Sequence, residues 1–94
     1  MNIKLVIEND GEEKVYTPKF YTFQTVYYVY KRFGKIRIVK TKISSISFTN
    51  IWNYRIDYNN YCFIDDSKSL YNNLDDAYKR AEEMDRRKNI KIID

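Results

Sequence analysis

The chain has 94 residues and a mass of 11.5 kDa, enough for one modest core and too little for two domains or a large cofactor fold. It contains no histidine and one cysteine, Cys62, which excludes disulfide scaffolds, zinc-finger ligand sets and histidine-based acid–base chemistry within one chain. At 44% hydrophobic, 17% aromatic and 32% charged residues the composition is that of a folding chain, and its net charge of +4 conceals a partition taken up below.

Met1–Ile7 alternates, with Ile3, Leu5 and Ile7 on one face. Asn9-Asp10-Gly11 is a turn signal, and Glu12–Tyr16 returns as the second strand of a hairpin. Pro18 cannot donate to a ladder and breaks the pattern. Phe20–Arg32 is rich in Tyr, Val, Thr and Phe and reads as a strand from Thr25 onward. Phe33-Gly34 forms a second hairpin tip, with Lys35–Lys42 returning and the strand continuing, or restarting after a bulge, through Ile43, Ile46 and Phe48. Thr49-Asn50 is a loop, Trp52–Tyr58 a strand, Asn59-Asn60 a turn and Tyr61–Ile64 the strand that pairs back. Asp65–Asn72 is polar and irregular, anchored by Leu70 and Tyr71.

One helix is predicted, from about Leu74 to Lys88. Asn73 caps it, Asp75 and Asp76 suit the positive end of its dipole, and Asn89 caps its far end. Leu74, Ala77, Tyr78, Ala81 and Met84 form an apolar stripe. Acids precede bases by four positions at Asp75–Lys79, Asp76–Arg80, Glu82–Arg86 and Glu83–Arg87, the order that favours pairing. Ile90–Ile93 is a short strand able to join the sheet's edge. The expected fold is α+β: a bent antiparallel sheet of five to seven strands carrying one amphipathic helix, 74–88, with Trp52 in the core. No apolar run approaches the roughly eighteen residues of a membrane span and no signal peptide is recognisable, so a cytoplasmic protein without membrane contact is expected.

Residues 1–13 carry a net −3, residues 14–56 a net +9 with no carboxylate at all, and residues 57–94 a net −2. The basic stretch interleaves its cations with tyrosines and phenylalanines. That pattern suits phosphates and bases, an acidic protein surface, or simply outward lysines on strands whose aromatics point inward. The contact surface is expected at Tyr28, Tyr30, Lys31, Arg32, Lys35, Arg37, Lys40 and Lys42, with Tyr28, Tyr30 and Arg32 on one strand face and Tyr27, Val29 and Lys31 on the other.

Other candidates have plainer explanations. Cys62 reads as a small core residue in a strand, Asp65-Asp66 as a solvated loop and Asp75-Asp76 as helix-terminal charge. Without positioned acid–base groups or a glycine-rich loop, no catalysis, metal or cofactor is expected. The expected role is stoichiometric binding of an acidic host protein or ribonucleoprotein. Direct binding of RNA or DNA by the same surface, and a structural role through self-association, are the alternatives.

Asn, Ile, Lys and Tyr fill 42 positions and alanine only two, the mark of an AT-rich genome. With its late helix and curled strands, the whole chain resembles the small accessory proteins of bacteriophages and mobile elements. These include anti-CRISPR and other anti-defence proteins, and the resemblance implies inhibition by binding. Met1–Phe20, ending in Tyr16-Thr17-Pro18-Lys19-Phe20, is also similar to the start of siphophage tail-assembly chaperones, a pattern from which residues 26–64 depart.

Overall fold

The longest strand organises the molecule. In the computed structural model, which describes residues 5–9, 12–65, 67–84 and 90–93, β4 runs from Lys35 to Phe48 and pairs directly with three of the other five strands of the main sheet. Its first half pairs antiparallel with β3 (Thr25–Arg32), and its second half pairs antiparallel with β5 (Trp52–Ile56). The register slips between Ile43 and Ser45, so Ser44 is an extra residue, and its hydroxyl donates to the Arg55 carbonyl at 3.1 Å. A bulge of this kind bends and twists its strand, which lets one continuous strand turn from one set of partners to the other.

The sheet order is β6 (Cys62–Ile64), β5, β4, β3, β7 (Leu70–Tyr71), and β8 (Ile90–Ile93) lies along β4 beside Ile36–Val39. The fold is α+β, a curled and mostly antiparallel sheet with one helix, α1 (Leu74–Met84). β8 is the exception to the antiparallel rule: it runs parallel to β4 after the helix returns the chain. A separate two-stranded sheet pairs β1 (Leu5–Asn9) with β2 (Glu12–Tyr16). The proposed turn residues Asp10 and Gly11 lie outside the described residues.

Strand alternation sorts the side chains into two cores. On the inner, concave face Phe20, Val26, Ile43, Trp52, Tyr54, Ile56 and Leu70 are buried together. On the outer face Val29, Ile36 and Ile38 meet Ala77 and Ala81 of α1, with Leu74 and Met84 at the margin. The two alanines let the helix backbone approach closely. Tyr78, expected in the stripe, is exposed instead, and the buried seam of the helix is Ala77 and Ala81. Asn73 caps as expected, its Oδ1 accepting from the Asp76 N–H at 2.8 Å. The Asp75–Lys79 and Asp76–Arg80 pairs do not form: Asp76 accepts from the Asn73 amide and Arg80 pairs with Glu83 at 3.3 Å, the one ion pair among the described residues. Arg86, Arg87, Lys88 and Asn89 lie outside the described residues.

Three further expectations are corrected. β5 ends at Ile56, short of Tyr58: the Asp57 N–H still donates to the Lys42 carbonyl at 3.0 Å, but the Tyr58 N–H turns to the Thr41 hydroxyl at 3.2 Å, and Asn59 and Asn60 then turn the chain at φ of 54° and 55°. Leu70-Tyr71 is a short strand rather than irregular, opposite Tyr28 and Tyr27 of β3. Cys62 is exposed, because β6 is an edge strand whose inward position belongs to Phe63.

Candidate binding surface

The register of β3 on β4 decides which of the predicted contact residues act together. Tyr28 faces Val39, Tyr30 faces Arg37 and Arg32 faces Lys35, which places Tyr28, Tyr30, Arg32, Lys35 and Arg37 on the concave face near the hairpin end. Tyr27 faces Lys40, Thr25 faces Lys42 and Lys31 faces Ile36, so Lys31, Lys40 and Lys42 belong to the helix-bearing face. The eight expected residues are therefore divided by the sheet, and five of them lie together on one face.

The tyrosines of that site are packed against one another. Tyr28 stacks on Tyr30 with ring centroids 4.9 Å apart, and Tyr58, Tyr61 and Phe63 close over them at 4.9–6.0 Å from Tyr28. The Tyr30 and Tyr58 hydroxyls lie 3.3 Å apart. Burial, then the neighbouring Tyr61 and Tyr58, raise the Tyr28 pKa; the hydrogen bond to Tyr58, then burial, raise that of Tyr30. These rings are a half-buried cluster that ties the β5–β6 loop to β3. They are not an open stacking platform.

The most exposed aromatic beside these cations reads in the sequence only as a turn residue. Phe33 is 89% exposed at the tip, with Gly34 beside it, and the two carry φ values of +51° and +74°. Two successive left-handed residues between paired Arg32 and Lys35 are the mark of a type I′ turn, whose preferred first residue is Asn. A bulky side chain in that conformation is an outlier. The Arg32 guanidinium lies 5.2 Å from the Phe33 ring centroid, and Tyr30, Arg32, Phe33, Lys35 and Arg37 line a depression of about 350 Å³. No carboxylate lines it. A second groove of about 450 Å³ lies where Lys19, Tyr71 and the first turns of α1 meet, and its Lys68, Lys79 and Arg80 are offset by Asp76 and Glu83.

Phe33→Asn is expected to stabilise the fold by about 1 kcal/mol, since an L residue with a bulky side chain pays roughly 1–2 kcal/mol in this region and Asn pays less. Urea denaturation checks it. An unchanged or lower midpoint would show that Phe33 already contributes to folding.

Asp65 has a structural role that loop solvation did not anticipate: it accepts from the Tyr54 hydroxyl. Asp66 lies outside the described residues. Among the described residues no three His, Cys, Asp or Glu side chains gather as a metal would need, and no helix is long and apolar enough to cross a membrane. Scans of family models, curated proteins and solved structures each return no match.

Proposed function

We propose that this chain is a non-enzymatic, cytoplasmic binding protein whose β3–β4 tip engages an acidic surface of a host protein or ribonucleoprotein, in the manner of a phage-encoded inhibitor of a defence system. The observation that carries the reading is Phe33, held exposed in a conformation unfavourable to it and ringed by Arg32, Lys35 and Arg37. Strain and exposure together at one residue are costs that folding does not recover, and such outliers concentrate at functional sites. Aromatic and arginine side chains are also the usual anchors of protein interfaces, and a patch of one charge sign steers an oppositely charged partner.

A protein surface is favoured over single-stranded nucleic acid by the packing of the tyrosines. Strand binding without sequence preference uses several open ring faces in succession, and here Tyr28 and Tyr30 are spent on Tyr58, Tyr61 and Phe63. The test is affinity capture from a host extract with the native chain and with Lys35→Glu/Arg37→Glu, beside anisotropy titrations against labelled RNA and DNA across salt. The native chain should hold one acidic partner near one-to-one, and the double reversal should weaken it about a hundredfold, the scale of hot-spot losses of roughly 2–4 kcal/mol. Micromolar nucleic-acid binding with a steep salt slope would overturn this reading in favour of a direct nucleic-acid binder.

A further inference from the structure

We infer that the acidic β1–β2 hairpin of one copy of this chain docks on the basic β3–β4 tip of a second copy. The two hairpins are opposite in charge. Glu8 on β1 and Glu12 and Glu13 on β2 are acidic, with Asp10 between them in sequence, whereas Lys31, Arg32, Lys35 and Arg37 surround the β3–β4 turn. Each hairpin also sets like charges at directly opposed strand positions, Glu8 against Glu13 and Arg32 against Lys35. Like charges so placed destabilise a strand pair, and bringing the two hairpins together relieves both.

Apolar surface supports the same match. Among the described residues the β1–β2 hairpin is hydrogen-bonded to no other strand, and a lone two-stranded hairpin is marginal in water unless something covers it. Val6 and Val15, cross-strand partners in it, are both exposed, as is Phe33 on the other tip.

Reach decides that the contact is between copies. The hairpin joins the body where Tyr16 packs on Phe48, with centroids 5.2 Å apart. Phe48 ends β4, and the basic tip begins it at Lys35, about 40 Å of strand away. From Tyr16 the hairpin extends through β2 by roughly 15 Å, too little to fold back onto its own tip. The molecule is correspondingly long, 53 × 22 × 21 Å, with a radius of gyration of 15.3 Å against about 12 Å for a spherical domain of this length. Two copies lying antiparallel are the smallest assembly that fills both tips, an isologous arrangement that closes on itself.

Sedimentation velocity on the purified chain, from micromolar to millimolar concentration and at low and high ionic strength, tests this without any host partner. The native chain should associate as concentration rises and dissociate with salt. Glu8→Gln/Glu13→Gln and Lys35→Glu/Arg37→Glu, each shown folded by circular dichroism, should each self-associate at least about tenfold more weakly, the effect of about 1.4 kcal/mol. Mixing the two variants should give a one-to-one heterodimer tighter than either variant's own association and weaker than the native pair, because only one of its two contacts joins a basic tip to an acidic hairpin. A native chain that stays monomeric throughout, or variants that associate like it, would overturn the inference. Either result would leave the host-partner reading standing, since that rests on capture by the same tip.

Discussion

Tyr54→Ala is expected to lower stability by about 3–5 kcal/mol and Tyr54→Phe by about 1–3 kcal/mol, measured by chemical denaturation. The ring is fully buried, edge-on to Phe20 with centroids 5.0 Å apart. Its hydroxyl accepts from the Lys19 N–H at 2.7 Å and donates to Asp65. One oxygen therefore closes the Pro18–Phe20 segment over the concave core and holds the end of the β6 turn. Phenylalanine would keep the packing and leave a backbone donor and a half-buried carboxylate without this partner, which is why the conservative change is still costly. Burial first, and the Asp65 hydrogen bond second, push the Tyr54 pKa well above its ordinary value of 10.0. Below pH 10 both folded and unfolded chains hold this proton, so the stabilisation is complete. Above it the unfolded chain loses the proton first, and stability falls as pH rises toward the folded value. Tyr54→Phe should flatten that alkaline loss, with the raised Tyr28 and Tyr30 supplying what remains. An alkaline profile identical to the native one would show that Tyr54 is not the group responsible.

The strands that announce themselves in sequence are those long enough to show a period. Thr25–Arg32, the return from Lys35 and the hairpin tip between them follow from alternation and from Phe33-Gly34, and the late helix follows from Asn73 and its apolar spacing. Leu70-Tyr71 is invisible in this way, because two residues have no period; it is a strand only because β3 offers an open edge beside it. The parallel course of β8 likewise depends on where the helix delivers the chain. The candidate surface is legible as composition, cations and rings without acids from 14 to 56, but not as geometry. Alternation alone separates Lys31 from Arg32, yet it cannot tell which face curls inward. It is the curl that brings Tyr58, Tyr61 and Phe63 onto Tyr28 and moves the exposed aromatic role to Phe33. The signal for Phe33 was present: a phenylalanine where a two-residue hairpin turn prefers asparagine.

The outer core makes the second large prediction. Ile38→Ala should cost about 2–5 kcal/mol and Ile38→Val about 0.5–1.5 kcal/mol. Ile38 is fully buried, opposite Val29 on β3 and Ile92 on β8, and packs in the cluster with Ala77 and Ala81. It is the side chain at which three strands and the helix converge. No alanine on α1 can lengthen to fill the space that truncation leaves, so the upper part of the range is expected. The inner and outer cores lie on opposite faces and share no buried residue, so Tyr54→Phe and Ile38→Val should add within about 0.5 kcal/mol. A larger deviation in a double-mutant cycle would mean that β4, whose side chains serve both faces, transmits strain between them. Tyr54→Ala combined with Ile38→Ala is a different case: the sum, roughly 5–10 kcal/mol, reaches the whole stability ordinarily available to a domain of this size. That chain should be unfolded by circular dichroism at room temperature, while each parent remains folded.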